Sequence, residues 1–258
     1  MAEKFLIFDA DKSLSTLGTP QSIVTLSGFP EVPVTGGINQ VASIIGIDNG
    51  ASPSKTPLFV KKTGMVSHPL FPATSVPTLS YEKSPLATTN AVGGIVIDTI
   101  SHIFGQDMRI LEAKQNSKQL QQQDWGTLER SYLTFLEGLK HLPCWAVVNC
   151  HTAYEKSDTG LFYYYPMLKG KTKDRIREFF DVVLYTKTST DKKSYTWQTF
   201  ADSSKMGKDR IGVLDPNMPQ DLSIIIKKYR EKGHEPKILV IGESGTGKTK
   251  ALESLNKL

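Results

Sequence analysis

The fold of this 258-residue chain is decided close to its end, by the stretch Gly242-Glu243-Ser244-Gly245-Thr246-Gly247-Lys248-Thr249. This stretch fits the pattern G-x-x-x-x-G-K-[ST]. The apolar run Lys237 to Ile241 precedes it, and residues 250–258 follow with apolar side chains at helical spacing. Strand, glycine-rich loop and helix in this order are the context of a phosphate-binding loop, or P-loop. A glycine-rich turn that arose by chance is the alternative interpretation.

Each residue type in this loop suits nucleotide binding. Glycines let backbone N–H groups form a nest for phosphate oxygens, and the start of the following helix adds partial positive charge. Lys248 would reach the β- and γ-phosphates, and Thr249 would offer its hydroxyl to Mg²⁺. We therefore predict that ATP and Mg²⁺ are the ligands. The predicted nucleotide-binding residues are Gly242, Glu243, Ser244, Gly245, Thr246, Gly247, Lys248, Thr249 and Lys250.

The composition is that of an ordinary globular protein, with 39% hydrophobic and 22% charged residues. No apolar run approaches the ~20 residues that a membrane span needs. Asp9, Asp11 and Lys12 interrupt the only apolar stretch near the start, which argues against a signal peptide. Cys144 and Cys150 indicate buried thiols of a reducing compartment. We expect a cytoplasmic protein without a membrane partner, and the net charge of +5 permits nucleic-acid binding.

Apolar strands alternate with helical patterns, which predicts an α/β fold with a mostly parallel sheet and helices on both faces. The predicted strands are residues 4–8, 94–98, 144–149, 181–186, 195–200 and 237–241. The predicted helices begin near Asp124, Lys171 and Gln220, and the chain's last nine residues form the P-loop helix. We expect one domain over residues 1–258, with residues 1–16 and 93–258 as its core.

The segment 17–92 has a different character, because it is rich in Pro, Ser and Thr. Proline restricts helices and sheet interiors. We therefore expect an irregular insertion with a few short strands, such as residues 22–26 and 58–61. A poorly ordered surface segment is the alternative.

A P-loop ATPase also needs an acid at the end of a neighbouring strand to hold Mg²⁺ through water. The run Gly94-Ile95-Val96-Ile97-Asp98 ends in such an acid, so we predict Asp98 in this role, known as Walker B. An aspartate that only forms a turn after a strand is the alternative interpretation.

Three further segments resemble the RecA family of ATPases. Phe8-Asp9-Ala10-Asp11-Lys12-Ser13-Leu14 is similar to the family's Phe-Ile-Asp-Ala-Glu-His-Ala-Leu, whose glutamate is the catalytic base. The resemblance places Asp11, one methylene shorter, in that role. Residues 147–151 resemble the next core strand, whose tip senses the γ-phosphate. This implies Asn149 or His151 as sensor, in place of the usual glutamine.

The third segment, Lys205-Met206-Gly207-Lys208-Asp209-Arg210-Ile211-Gly212, resembles the Lys-x-Arg-x-Gly element of RecA-like hexameric helicases and recombinases. In that element the lysine and arginine reach the nucleotide of the neighbouring subunit. The resemblance implies that Lys208 and Arg210 stabilise charge on the transferring phosphoryl group. A solvated basic turn is the alternative.

A narrower resemblance, over residues 1–16, 93–104 and 144–258, is to RecA-like ATPases of bacteriophages (AAA domain type) associated with single-strand annealing. It implies ATP hydrolysis linked to DNA recombination, annealing or repair in the host cytoplasm. It also implies self-association into a ring or filament, with a single-strand-binding protein as a further partner. Single-stranded DNA would meet a basic cluster and stack on aromatic rings, unless those rings serve packing instead. These residues are Lys169, Lys171, Lys173, Arg175, Tyr163, Tyr164 and Tyr165.

The order of these pieces differs from the order in the family, where the P-loop comes first. Here the acid-tipped strand, Walker B, sensor strand and finger element come in family order, and the P-loop comes last. Joining Leu258 to Met1 restores that order, so we predict a circular permutation in which the polar segment 230–236 links the former ends. The alternative is a second RecA-like domain truncated after its P-loop helix.

Two other functions remain open at this point. The first is a nucleotide-dependent DNA-binding or annealing accessory with little turnover, which the shortened base Asp11 and the missing sensor glutamine would fit. The second is a nucleoside or small-molecule kinase, against which the finger element and the lack of an evident lid argue.

Overall fold

The structure is a computed structural model that describes residues 5–10, 32–34, 36–47, 57–68, 71–83, 93–115, 120–158, 160–189 and 194–258. Its strands are β1 (Phe5–Asp9), β2 (Val32–Pro33), β3 (Phe59–His68), β4 (Phe71–Lys83), β5 (Gly94–Asp98), β6 (Trp145–Lys156), β7 (Phe162–Pro166), β8 (Val182–Thr188), β9 (Tyr195–Gln198), β10 (Lys208–Asp209), β11 (Asn217–Pro219) and β12 (Lys237–Gly242). Its α-helices are α1 (Gly37–Ile45), α2 (Ile100–Gln115), α3 (Gln122–Lys140), α4 (Gly170–Arg175) and α5 (Leu222–Arg230). The two 3₁₀ helices are Ile176–Phe179 and Lys250–Lys257, and we call the second the P-loop helix.

Ten strands form one sheet in the order β11-β9-β8-β12-β6-β5-β1-β2, with β7 attached to β6 and β10 attached to β8. The strands from β8 to β2 in this order run parallel, while β7, β9, β10 and β11 pair antiparallel with their neighbours. The predicted α/β fold with a mostly parallel sheet is confirmed. The P-loop strand β12 lies inside this sheet, where Leu239 pairs with Val148 of β6 and Val183 of β8.

The two faces of the sheet carry separate apolar cores, because side chains alternate along each strand. In β1, for example, Phe8 packs in one core and Ile7 in the other. Helices α1, α2 and α3 cover the first face, with Phe135 among their fully buried side chains. Helix α5 and the P-loop helix cover the second face, where Ile226 and Leu252 are fully buried. Within the described ranges, no helix is long and apolar enough to cross a membrane.

The described part of segment 17–92 is more regular than we expected. Helix α1 packs against α2 and α3, and β3 pairs with β4 in a separate two-stranded sheet. Pro72 and Pro77 lie within β4, which is possible because each strand of a two-stranded sheet has an unpaired edge where no N–H is needed. The proposed strand 58–61 corresponds to the start of β3, and the proposed strand 22–26 lies outside the described residues.

Candidate functional site

The P-loop follows β12 at the carboxyl edge of the sheet and depends on its glycines. Gly245 and Gly247 have φ angles of 75° and 80°, which side chains disfavour. A Cβ atom at Gly242 would lie 2.7 Å from the hydroxyl oxygens of Thr186 and Thr246. The loop therefore closes tightly against the end of β8 only because these positions lack side chains.

Lys248 lies inside the loop that it terminates. Its side chain is buried, and its Nζ donates hydrogen bonds to the carbonyl oxygens of Gly242 at 2.9 Å and Glu243 at 2.7 Å. The loop thus holds an ammonium group at the point where a P-loop lysine meets the β- and γ-phosphates.

Asp98 and Thr249 meet at the same edge, although 151 residues separate them in the chain. The Thr249 hydroxyl donates to Oδ2 of Asp98 at 2.8 Å, and Nδ2 of Asn149 donates to Oδ1 at 3.0 Å. Asp98 and Asn149 are fully buried. Nothing in the described part of the chain hydrogen-bonds to the buried Oδ1 of Asn149. These contacts bring the predicted Walker B acid, the P-loop threonine and one proposed sensor into a single cluster.

The donor set in this cluster suits Mg²⁺, a hard cation that prefers carboxylate, hydroxyl, water and phosphate oxygens. Across the described ranges, no group of three or more His, Cys, Asp or Glu side chains is arranged to hold a metal. A protein cage for the ion is therefore not present there. Thr249 directly and Asp98 through water are the residues that would hold Mg²⁺, with the nucleotide phosphates completing its shell.

The ends of the neighbouring strands add two more polar side chains. His151 pairs in register with Gly242, and its ring packs edge-on against His102 at 5.4 Å between centroids. Asp9 is buried and pairs in register with Asp98. Asp9 was not predicted as a site residue, although its place at the tip of an apolar strand was a usable signal. Asp11 lies outside the described residues, so its role as base stays a prediction.

Lys208 and Arg210 lie at the opposite, amino edge of the sheet, because β10 pairs with Val182 and Val183 at the start of β8. Nζ of Lys208 donates to the carbonyl oxygens of Phe180 at 2.6 Å and Arg177 at 3.2 Å. Burial and the nearby Arg210 lower the pKa of Lys208.

Arg210 pairs with Asp181, its Nη1 lying 3.1 Å from Oδ1, and its side chain is 46% exposed. The structure therefore brings neither Lys208 nor Arg210 to the chain's own P-loop. Their action on a neighbouring subunit stays a prediction.

Two cavities flank the P-loop, and most of the residues that line them were not predicted from the sequence. The first, which we call the lysine cavity, measures about 300 Å³ and is lined by Lys187, Lys205, Gly242 and Glu243 among others. Lys205 belongs to the loop 201–206 between β9 and β10. Lys205 begins the segment that resembles the finger element, but no role was predicted for it there, and no predicted motif contains Lys187. Only the fold brings these two lysines to the P-loop.

The second cavity, which we call the tyrosine cavity, measures about 590 Å³ and borders the P-loop helix. Tyr195, Gln220, Lys250 and Asn256 are among its lining residues. Nε2 of Gln220 donates to the carbonyl oxygen of Thr246 at 3.0 Å, which ties this cavity to the loop. The ring and amide groups here suit a nucleobase, whereas the lysine cavity suits an anion.

An aromatic hairpin, which we define as residues 152–166 of β6 and β7, extends past the carboxyl edge. Tyr154 is 61% exposed, and Phe162 and Tyr163 are each 45% exposed. Tyr164 is half-buried, and Tyr165 donates its hydroxyl to Glu155 at 2.8 Å. Of the three tyrosines proposed to stack on DNA, Tyr163 is thus the most open to solvent.

The predicted basic cluster lies next to this hairpin. Lys169 and Lys171 are exposed, and Lys169 approaches the ring of Trp125, with 5.4 Å between Nζ and the ring centroid. Two members are paired with acids, Lys173 with Glu155 at 3.5 Å and Arg175 with Glu178 at 3.3 Å. DNA binding at this cluster stays a prediction.

The comparisons with known proteins identify the family. Neither the curated proteins nor the solved structures gave a match. A protein-family model described as an AAA domain matches residues 1–211, which is well over half of the chain. The matched range includes Asp98 and Asn149 and ends before the P-loop. The chain therefore belongs to the AAA domain family of P-loop ATPases.

Proposed function

We propose that this protein is an Mg²⁺-dependent ATPase that acts on DNA. The observation that carries the proposal is the 2.8 Å hydrogen bond between the Thr249 hydroxyl and Asp98. It joins the P-loop to the Walker B strand in the arrangement that ATP hydrolysis needs, since the threonine and the acid must act on the same ion. The two flanking cavities leave room for a nucleobase on one side and for phosphates on the other.

Different residues of the chain have different roles in hydrolysis. The P-loop N–H groups bind the phosphates, and Lys248 exchanges its two loop carbonyls for β- and γ-phosphate oxygens. Thr249 and, through water, Asp98 would hold Mg²⁺, which would supply positive charge against the phosphate oxygens. Water attacks the γ-phosphorus, the bond to the β,γ-bridging oxygen breaks, and ADP leaves with phosphate. We propose that the water's proton passes to Asp11.

The position of β12 supports a circular permutation over a truncated second domain. A truncated domain would place the P-loop strand outside the sheet that holds Asp98. Instead β12 pairs along its whole length with β6, and β6 pairs with the Walker B strand β5. The end of the family match at residue 211 also fits a P-loop that is displaced in the chain order.

Exposed aromatic rings beside basic residues support single-stranded DNA as the partner, because such rings stack on bases without sequence preference. In the aromatic hairpin, Lys156 lies over the Phe162 ring at 5.9 Å and Tyr163 faces solvent. The amino-edge position of Lys208 and Arg210 supports a ring or filament in which each subunit presents these residues to its neighbour.

ATP turnover in Mg²⁺, with and without single-stranded DNA, tests the proposal on the wild type and on Lys248→Ala. We expect DNA-stimulated turnover in the wild type and a loss of about 100-fold in Lys248→Ala, since one transition-state contact to charge is worth roughly that factor. Equal and negligible turnover in all four conditions contradicts an ATPase. Tight ATP binding without turnover would instead favour the accessory function.

A further inference from the structure

The lysine cavity holds two cations next to the P-loop. Lys187 lies near the end of β8, and Lys205 reaches in from the loop 201–206. Gly242 and Glu243, the first residues of the P-loop motif, also line the cavity. Hydroxyl groups, including that of Thr186, complete much of the lining. Two ammonium groups with hydroxyl donors form a site for an anion.

The position of Lys248 indicates which part of a nucleotide faces this cavity. Its Nζ contacts the carbonyl oxygens of Gly242 and Glu243, two residues of the cavity wall. A P-loop lysine reaches the β- and γ-phosphates, so the terminal phosphate lies on this side of the loop. The tyrosine cavity, lined by Lys250 and the P-loop helix, then takes the ribose and the base.

The charges around Lys205 leave a place for a phosphate. Burial and the neighbouring Lys187 lower the pKa of Lys205, while Asp202 and Glu243 act in the opposite direction. In the described residues, the buried hydroxyl of Thr186 has no hydrogen-bond partner. An anion between these groups would relieve the repulsion of the two lysines and accept a hydrogen bond from the Thr186 hydroxyl.

Lys205 also contacts the aromatic hairpin. Its Nζ lies 4.8 Å from the centroid of the Tyr164 ring, and the backbone N–H of Tyr164 donates to the carbonyl oxygen of Ser204 at 2.9 Å. Asp202 fixes this loop by accepting hydrogen bonds from the backbone N–H groups of Ser204 and Lys205. Any movement of Lys205 toward the P-loop therefore changes a contact that holds the hairpin.

We propose that Lys187 and Lys205 bind the terminal phosphate of the nucleotide within the same subunit, and that Lys205 transmits its presence to the aromatic hairpin. This inference rests on the proposed ATP site. It differs from the role expected of Lys208 and Arg210, which would act between subunits. Lys205 exchanges the Tyr164 ring for the phosphate when ATP is bound, and returns to the ring with ADP.

Binding of ATPγS and ADP, combined with hydrogen exchange of the hairpin amides, tests this proposal on the full chain. In the wild type we expect tighter binding of ATPγS than of ADP, and a difference in hairpin exchange between the two complexes. Lys205→Met should weaken ATPγS binding about 10-fold, the value of one charge-assisted hydrogen bond. It should leave ADP affinity unchanged and abolish the difference in hairpin exchange.

Three variants complete the design. Lys187→Met should weaken ATPγS binding to a similar extent and keep the hairpin response, and Lys205→Arg should restore much of both properties. Lys232→Met, which removes an exposed charge after α5, should behave as the wild type. Unchanged ATPγS affinity and hairpin response in Lys205→Met would overturn the inference alone. A wild type that binds neither nucleotide overturns the proposed function as well.

Discussion

Strand β12 has a buried lysine at its start and another shortly after its end, and the two differ in what holds them. Lys237, at the amino end, donates to the carbonyl oxygens of Leu142, Cys144 and Glu235 at 3.1, 2.6 and 3.0 Å. Lys248, beyond the carboxyl end, donates to carbonyl oxygens of its own glycine-rich loop. Lys237 thus binds carbonyl oxygens of the segments that lead into β6 and β12, and it links these two segments. Lys248 binds carbonyl oxygens of a loop with the geometry of a phosphate site.

The two edges of the sheet differ in the same way: the carboxyl edge has space for a ligand, and the amino edge has cations that bind groups of the chain itself. At the carboxyl edge, Asp98, Thr249 and the lysine cavity surround a space for ligand. At the amino edge, Lys208 and Arg210 are already paired with groups of the same chain. Ligands of open α/β sheets bind outside the carboxyl ends of the strands. Within one subunit, a buried or clustered cation therefore indicates a role in nucleotide binding only when it lies at that edge.

The largest effect should come from Asp98→Asn at the carboxyl edge. The change removes the negative charge that would hold Mg²⁺ in the proposed site but keeps the size of the side chain. We expect ATP turnover to fall by about 100-fold, or ~2.7 kcal/mol. Steady-state phosphate release measured over a range of Mg²⁺ concentrations checks this.

The matched control is Asp107→Asn, which alters another buried carboxyl group, one with hydrogen-bond partners outside the P-loop. Asp107 accepts hydrogen bonds from the Tyr132 hydroxyl at 2.7 Å and the Ile38 N–H at 3.0 Å. Its substitution should lower stability and leave turnover unchanged. Equal loss of turnover in the two variants would remove the distinction between Asp98 and a structural acid.

A smaller effect, and on a different property, should follow Lys237→Met at the amino edge. The change removes the donor from two buried carbonyl oxygens, of Leu142 and Cys144, and from the half-buried one of Glu235. We therefore expect the free energy of unfolding to fall by about 1–3 kcal/mol. ATP turnover per folded molecule should not change. Urea denaturation and turnover on the same preparation check both values, and a loss of turnover without a loss of stability would contradict the comparison.

The smallest effect should follow Asp202→Asn in the loop that carries Lys205. Burial by itself would raise the pKa of Asp202. Hydrogen bonds from Gln198, Ser204 and the Lys205 N–H have a larger, opposite effect, so the pKa lies well below the ordinary 3.8. Because the folded carboxyl binds its proton less readily than the unfolded one, its charge stabilises the fold above about pH 4 and this contribution fades as the pH falls. Asp202→Asn should therefore be less stable than the wild type at pH 7, and the gap should narrow below pH 4.

Urea midpoints between pH 3 and pH 7 measure that gap. A gap that stays constant over this range would mean that the Asp202 charge does not order the loop. In that case the contact between Lys205 and Tyr164 would need another explanation.

The sequence by itself determined the parts of the site that follow local patterns. The P-loop is fixed by its glycines and lysine, its strand and helix by apolar spacing, and Asp98 by its place after an apolar run. The structure has β5, β8, β9 and β12 close to their predicted ranges. Helix α1 and the hairpin of β3 and β4 were not predicted. Their segment is rich in proline, serine and threonine, and its apolar residues do not recur at a clear helical or strand spacing.

Only the tertiary structure decided which of these parts meet. Strand pairing between distant segments places β12 beside β6, and this brings Thr249 to Asp98. The direction of each strand then decides at which edge a residue lies. For that reason Lys205 lines the lysine cavity beside the P-loop, while Lys208, three residues later, is held at the amino edge of the sheet. Spacing along the chain cannot report this, because edge and neighbour are set by non-local pairing.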